Sequence, residues 1–214
     1  MQHYKEYFSN KSFVISFILG VLALVVSYMA QFYSSLYATS MSSSPVTDII
    51  LSNTRVYDVD GIFVYGSVAL VLLVLCIGLT RLNYAPFIMK SVALFTFIRS
   101  IFISLTHVSP FPTHVIISSD FFRDRLFYGI FTGNDLFFSG HTGVPFLLAL
   151  IFWEHKILRI VFLCFSGIFA VVVLLGHLHY SIDVLAAFFI SYSIYEISNK
   201  FFKKDKELFL KKVV

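Results

Sequence analysis

Residues 157–183 read ILRIVFLCFSGIFAVVVLLGHLHYSID, and this stretch decides the fold class. As far as Gly176 it is almost entirely apolar, and about twenty apolar residues are what a helix needs to cross the hydrocarbon core of a bilayer. The run then breaks into a turn that carries two histidines and an aspartate. The stretch therefore predicts a membrane-spanning helix that ends beside titratable side chains.

The composition of the whole chain agrees with a membrane protein. Hydrophobic residues make up 58% and charged residues 13% of the 214 residues, and the mean hydropathy is +0.84. A soluble domain carries about 25% charged residues. No linker or low-complexity stretch divides the sequence, so residues 1–214 are predicted to form a single membrane domain. Cys76 and Cys164 lie in apolar runs and are expected to be small core residues, without a disulfide or a metal.

The predicted fold is all-α, a polytopic bundle of six transmembrane helices. The spans are expected at about residues 13–32, 62–80, 85–105, 140–153, 157–176 and 182–201. No small-residue cleavage site follows the first run, which therefore reads as a retained helix and not as a signal peptide. The fourth span is short, because about 14 residues give only about 21 Å of helix. Its start is expected to lie below the outer headgroup level.

Basic residues predict the orientation of the bundle. If the six spans alternate, one side receives most of the lysines and arginines: Lys5, Lys11, Arg81, Lys90, Lys156, Arg159, Lys200, Lys203, Lys204, Lys206, Lys211 and Lys212. The positive-inside rule then puts both termini in the cytoplasm. The net charge of +4 does not indicate nucleic-acid binding, because the basic residues flank apolar runs. The lysines after the last span are expected to form a solvated tail or to touch anionic lipid.

The first chemistry-bearing motif is Ser139-Gly140-His141-Thr142, at the start of the fourth span. Glycine allows close approach of a ligand to the backbone, and the positive end of the helix dipole favours an anion such as phosphate. His141 could then give a proton to a departing oxygen, although a structural histidine at the membrane interface is an equal alternative. For Ser139, an N-cap role is the favoured interpretation.

The second motif is His179-Tyr180-Ser181-Ile182-Asp183, at the start of the sixth span. His179 and Asp183 are four residues apart and share one face of a helix. The carboxylate can accept from one ring nitrogen and leave the other free as a nucleophile. His177 is expected to be an interface residue or to support this pair. A zinc site made from His177, His179 and Asp183 is a further, less favoured alternative.

The predicted topology brings both motifs to the same, non-cytoplasmic face. The fourth span runs inward and the fifth returns outward, so that His141 and His179 can meet at a recessed site open to the outer leaflet. The expected substrate is therefore a lipid. Between Ser109 and Ser139, aromatic and apolar residues surround Arg123, Asp124 and Arg125. An amphipathic helix in the outer interface is the preferred prediction there, and an aromatic-rich loop is the alternative.

The two motifs resemble the catalytic motifs of the sphingomyelin synthase family, within the type 2 phosphatidic acid phosphatase (PAP2) superfamily. Asn134-Asp135 stands where those synthases typically have Gly-Asp, so that the Asp matches and the Gly does not. Residues 106–110, after Arg99, are loosely similar to a motif that ends the third span of those synthases. The resemblance covers most of residues 99–195. No Lys and Arg-Pro run typical of the lipid phosphatases is present, which favours the synthase-like branch.

The resemblance implies a PAP2-like helical bundle and a phosphohistidine mechanism that needs no metal or cofactor. It implies that His179 attacks phosphorus, that Asp183 orients and activates His179, and that His141 protonates the leaving alkoxide. The candidate substrate-binding residues are Ser139, Gly140, Thr142, Asp135, Arg99 and Tyr180. Arg99, a costly charge in the third span, is expected either to clamp the phosphate or to pair with Asp135.

The function predicted first is transfer of a phospho-headgroup between membrane lipids. The alternative is hydrolysis of phosphatidic acid or a related lipid phosphate by the same triad, with water as acceptor. Two other classes remain open: a haem protein with transmembrane histidine ligands and a lipid-binding channel. The expected partners are a lipid donor and a lipid alcohol or water as acceptor. The head group, the acceptor and the oligomeric state cannot be read from the sequence.

Overall fold

The computed structural model describes residues 7–116 and 135–210, and its regular structure in these ranges is helical. The main α-helices within the described ranges are α1 (Lys11–Ser40), α2 (Asp60–Thr80), α3 (Ala85–Leu105), α4 (Gly140–Ile151), α5 (Lys156–Leu175), α6 (Ser181–Phe201) and α7 (Lys203–Leu210). Short 3-10 turns at Leu51–Asn53 and Leu82–Tyr84 precede α2 and α3. The all-α, multi-pass prediction is confirmed, because five helices are long and apolar enough to cross a membrane and α4 is a shorter apolar helix.

Most of the predicted bounds agree with the helices, but α1 and α4 differ. α1 is 30 residues long instead of about 20, because the chain from Val21 to Ser44 contains neither proline nor glycine to stop it. α4 has only 12 residues, or about 18 Å of helix, and ends two residues before the predicted bound. Phe152 caps its end, and a tight turn leads into α5.

The main apolar core lies around α3 and α4. α1 packs along α3, α4 packs against α5 and α6, and α3 contacts both α4 and α6. α2 lies at the edge, against α5. The core is rich in fully buried phenylalanine side chains, among them Phe87, Phe95, Phe138, Phe152, Phe162 and Phe169.

Gly143 allows α4 to approach its neighbours closely. A Cβ at this position would lie 2.7 Å from the Phe95 ring of α3 and 2.8 Å from Ser191 Oγ of α6. The Ser191 hydroxyl donates a hydrogen bond to the Gly143 carbonyl oxygen at 3.1 Å. The start of α4 can therefore lie this close to α3 and α6 because Gly143 has no side chain.

The helices α1 to α6 alternate in direction. At one end of the bundle the Ser43 N–H donates to the His107 carbonyl oxygen at 2.7 Å, which joins the chain after α1 to the chain after α3. At the opposite end, Lys90 Nζ lies 2.7 Å from Asp205 Oδ2 and donates to Ser16 Oγ at 2.7 Å. This alternation is the one that the predicted topology requires. The side of the membrane on which each end lies stays a prediction.

The positions of the two cysteines differ from the prediction. Cys76 and Cys164 are not core residues, because both are exposed on the outer surface of the bundle. The residues next to both cysteines are also apolar, so hydropathy alone does not distinguish a lipid-facing position from a packed one. The predicted interfacial segment around Arg123 and Arg125 lies outside the described residues.

Candidate active site

Ser139, Gly140, His141 and Thr142 form the entry to α4. Ser139 is the N-cap residue, and its Oγ accepts a hydrogen bond from the Thr142 N–H at 3.4 Å. This bond satisfies one of the N–H groups that the start of a helix leaves without a partner in the helix. Both side chains are fully buried. The N-cap role predicted for Ser139 is confirmed.

The second motif forms the first turn of α6. Asp183 Oδ2 accepts from the Tyr180 N–H at 2.9 Å, and the Asp183 N–H donates to the Tyr180 carbonyl oxygen at 3.0 Å. His179 Nδ1 lies 3.4 Å from the same Oδ2, and both side chains are buried. Nδ1 has no hydrogen-bond partner in the described part of the chain. A carboxylate oxygen has a second lone pair, so a small rotation of the imidazole would complete this bond.

The two turns meet through the main chain. The Ser139 N–H, at the start of α4, donates to the Asp183 carbonyl oxygen in α6 at 3.1 Å. His141 and His179 are close enough to interact electrostatically. The structure therefore brings the two imidazole-bearing turns to the same end of the bundle and into one region, which is the arrangement that a shared ligand requires.

The ring of His141 packs against two aromatic side chains. Its centroid lies 4.3 Å from that of Phe63 in α2 and 5.5 Å from that of Phe169 in α5. Two helices that bear no other candidate residue thus fix the direction of the imidazole. Apolar walls strengthen electrostatic interactions at the ring, because they exclude water.

Arg99, in α3, lies against the start of α4. Its Nε donates to the Phe138 carbonyl oxygen at 2.7 Å, and its terminal nitrogens donate to Asp135 Oδ2 at 3.0 Å and to the Asp135 carbonyl oxygen at 2.5 Å. Gln31 Nε2, from α1, donates to the same Oδ2 at 3.2 Å. A Cβ at Gly140 would lie 3.5 Å from Arg99 Nε, so the guanidinium borders the Gly140 turn. Of the two roles expected for Arg99, pairing with Asp135 is observed.

Tyr180 is held between two loops. Its hydroxyl donates to the Ser109 carbonyl oxygen at 2.8 Å and accepts from the Val46 N–H at 3.3 Å, and its side chain is 4% exposed. Ser139, Thr142 and Tyr180 are thus interior positions. Contact of these side chains with substrate stays a prediction, as it does for Gly140, Asp135 and Arg99.

Asp48 contacts the second motif, and sequence reasoning missed it. Its Oδ2 accepts from the Ser181 N–H at 2.7 Å and from the Ser181 hydroxyl at 2.8 Å. Burial alone would raise the pKa of the Asp48 carboxyl, but hydrogen bonds from Leu51, Ser181 and Ile50 outweigh burial and hold this pKa below its usual range. That an aspartate at position 48 accepts hydrogen bonds from N–H groups a few residues later could have been predicted from the sequence. Its contact with Ser181 could not, because no pattern in the neighbouring sequence indicates it.

His177 supports the connection before the second motif. Its backbone has a φ of 53°, and its Nδ1 lies 2.7 Å from Thr113 Oγ1. The side chain is 3% exposed. In the described ranges no group of three or more His, Cys, Asp or Glu side chains could hold a metal ion, so the zinc alternative gains no support.

An apolar cavity of about 90 Å³ borders the second motif. Apart from Asp183, Tyr180 and Thr106, its lining is aliphatic or aromatic: Val46, Val108, Leu136, Phe137 and Ile182. Ile182 is 57% exposed on the outside of the bundle. The cavity thus joins the neighbourhood of Asp183 to apolar surface.

Residues 132–200 match the family model described as PAP2 superfamily C-terminal. The match covers less than half of the chain, but it contains both motifs, Asp135, helices α4 and α5, and α6 except its last residue. It supports the resemblance at the level of the PAP2 superfamily and does not separate the sphingomyelin synthase family from other branches. No curated protein and no solved structure matches the chain significantly.

Proposed function

We propose that this chain is an integral-membrane enzyme that transfers a phospho-headgroup between lipids through a phosphohistidine on His179. The hydrogen bond from the Ser139 N–H to the Asp183 carbonyl oxygen carries the proposal, because it joins the two histidine-bearing turns. The match to the PAP2 superfamily model supports phosphatase or phosphotransferase activity on lipid phosphates.

The reaction has two displacements at phosphorus. Asp183 faces His179 Nδ1, so Nε2 is the nucleophile. The Nε2 lone pair forms an N–P bond while the P–O bond to the leaving alkoxide breaks, and His141 gives its proton to that alkoxide. In the second step His141 takes a proton from the acceptor hydroxyl, whose oxygen attacks phosphorus and breaks the N–P bond. His179 is regenerated.

Charge around the phosphoryl group comes from two sources. The guanidinium of Arg99 borders Gly140, and the N-terminus of α4 presents the positive end of its dipole at the same turn. Asp135 offsets part of the arginine charge, since the two form a salt bridge. Stabilisation of the phosphoryl oxygens is the main requirement of such a transfer.

A lipid acceptor is supported by the surroundings of Asp183. The adjoining cavity is lined mainly by apolar side chains, which favour an acyl chain over ordered water. Hydrolysis is the second candidate, because the superfamily match supports it equally. Product analysis with a headgroup-labelled phospholipid, with and without ceramide or diacylglycerol, distinguishes them. A labelled lipid product that requires the added alcohol indicates transfer, and a water-soluble product formed without it indicates hydrolysis.

The decisive experiment traps the intermediate. Purified protein is mixed with phosphate-labelled lipid, quenched, and tested for acid-labile, base-stable label on the polypeptide. We expect label on the unchanged protein and none on the His179→Ala variant. His155→Ala, at the opposite end of the bundle where His155 Nε2 contacts the Tyr84 hydroxyl at 2.6 Å, is the matched control and should keep the label. Label and turnover that survive His179→Ala would refute the proposal.

A further inference from the structure

We propose that Asp48 is a positioning residue of this site: its carboxylate, from the loop between α1 and α2, fixes the first turn of α6 and thereby aligns His179 and Asp183. The effect on turnover rests on the proposed function. The effect on the turn itself does not, and the two are measured separately below.

The two carboxylate oxygens of Asp48 bind different parts of the chain. Oδ1 accepts from the Ile50 N–H at 2.8 Å and the Leu51 N–H at 3.1 Å, which anchors the side chain to its own loop. Oδ2 accepts from the backbone N–H and the hydroxyl of Ser181, at 2.7 Å and 2.8 Å. Asp48 therefore bridges the loop and the helix.

The bridge ends inside the second motif. Ser181 is two residues from both His179 and Asp183, so a change in its backbone direction would move both side chains. The N–H groups of Tyr180 and Ser181 are both bound by carboxylates, the first by Asp183 and the second by Asp48. The first N–H groups of a helix have no backbone acceptor within it, and carboxylates are favourable at a helix N-terminus.

A charged carboxylate suits this position better than an amide. Asp48 is 7% exposed, and the salt bridges found among the described residues do not include it. Four neutral donors therefore satisfy its charge. An asparagine could not accept all four bonds, because its amide nitrogen is a donor. A buried carboxylate is costly, and here the cost is offset because one side chain accepts hydrogen bonds from four donors.

Asp48 also lies outside the segment that matches the superfamily model, residues 132–200. The alignment of His179 and Asp183 therefore depends on a part of the chain that the match to the superfamily does not cover.

The test compares Asp48→Asn with Asp58→Asn in the full-length protein in detergent or vesicles. Asp58 is an exposed carboxylate on the same loop, and its Oδ1 accepts a hydrogen bond from the Asp60 N–H at 3.1 Å, which asparagine can retain. The two variants thus lose the same charge from the same loop. Ser181→Thr, which keeps the N–H and the hydroxyl, is the conservative variant on the other side of the bridge.

Two readouts are made on each variant. Hydrogen–deuterium exchange of a peptide spanning residues 179–184 should be faster in Asp48→Asn and unchanged in Asp58→Asn. For turnover, kcat should fall about 10- to 100-fold in Asp48→Asn with KM changed less than about twofold, because a small misplacement of a catalytic group slows chemistry without weakening binding. Asp58→Asn should stay close to the unchanged protein in both readouts, and Ser181→Thr, which keeps both donors, should keep the slow exchange.

The outcomes separate the two proposals. Unchanged exchange in Asp48→Asn, or a kcat equal to that of Asp58→Asn, would overturn the role of Asp48 while leaving the phosphohistidine proposal intact. Faster exchange in a protein whose turnover survives His179→Ala would support the bridge and reject the proposed function. A rise in KM alone would also contradict positioning.

Discussion

A single oxygen atom of Asp183 serves two neighbours. Oδ2 accepts the Tyr180 N–H at 2.9 Å and lies 3.4 Å from His179 Nδ1, so the same carboxylate caps α6 and faces the imidazole. The backbone bond fixes the carboxylate beside the imidazole. That Asp183 orients the ring of His179 stays a prediction.

His141 is the residue whose proposed role depends most on the leaving group. His141→Ala should slow phosphoenzyme formation from a natural lipid donor by about 10²- to 10⁴-fold, because the alkoxide would leave without a proton. A lipid-like phosphate ester whose leaving group is a nitrophenolate needs no such proton, and its reaction with His141→Ala should be slowed far less. Rapid-quench measurement of labelled protein compares the two donors. An equal loss with both would assign His141 to binding or structure and not to proton transfer.

At the scale of single helices, the close approach of α4 depends on Gly143. In Gly143→Ala the new methyl group would collide with the ring of Phe95, which is 1% exposed and cannot move freely. The expected cost is about 1–3 kcal/mol of folding free energy. It is measured as a lower Tm in detergent.

Gly167 provides the matched control for this substitution. It lies within α5, and a Cβ there would have no atom within 4 Å. Gly167→Ala should therefore leave Tm unchanged or raise it, since alanine is the better helix former by roughly 0.5–1 kcal/mol. If both substitutions lowered Tm by the same amount, the close contact of α4 with α3 would not be the cause.

The helices themselves were largely predictable from the sequence, and their contacts were not. The bounds of α3 agree at both ends, because Pro86 lies in its first turn and a polar, proline-containing segment follows Leu105. The sequence could not show that Cys76 and Cys164 face outward, because α2 and α5 are apolar all around. The choice between phosphate clamp and ion pair at Arg99 depended on the position of Asp135, which only tertiary structure fixes. The bridge from Asp48 to Ser181 joins residues distant in sequence and has no periodic signal.

At the scale of the whole molecule, the alternation of the helices puts the two motifs at one end and the Lys90–Asp205 pair at the other. The distribution of lysine and arginine predicts that the motif end faces away from the cytoplasm. The chain after α6 stays at the other end, where Asp205 ties α7 to α3.

Cysteine accessibility tests this orientation. Single-cysteine variants Arg55→Cys and Lys204→Cys are made in a background in which Cys76 and Cys164 are replaced by serine; both new positions are exposed. A membrane-impermeant maleimide applied to intact cells or sealed vesicles of the same sidedness should label Arg55→Cys directly. Lys204→Cys should react only after permeabilisation. The reverse pattern would place the site at the cytoplasmic leaflet.

The bond between the Ser139 N–H and the Asp183 carbonyl oxygen uses only peptide groups. Every residue except proline can supply the N–H at position 139, and any residue can supply the carbonyl at position 183. This one link between the two histidine-bearing turns therefore does not depend on which side chains stand at positions 139 and 183. Substitutions at the positions around it are expected to leave the main-chain bond in place.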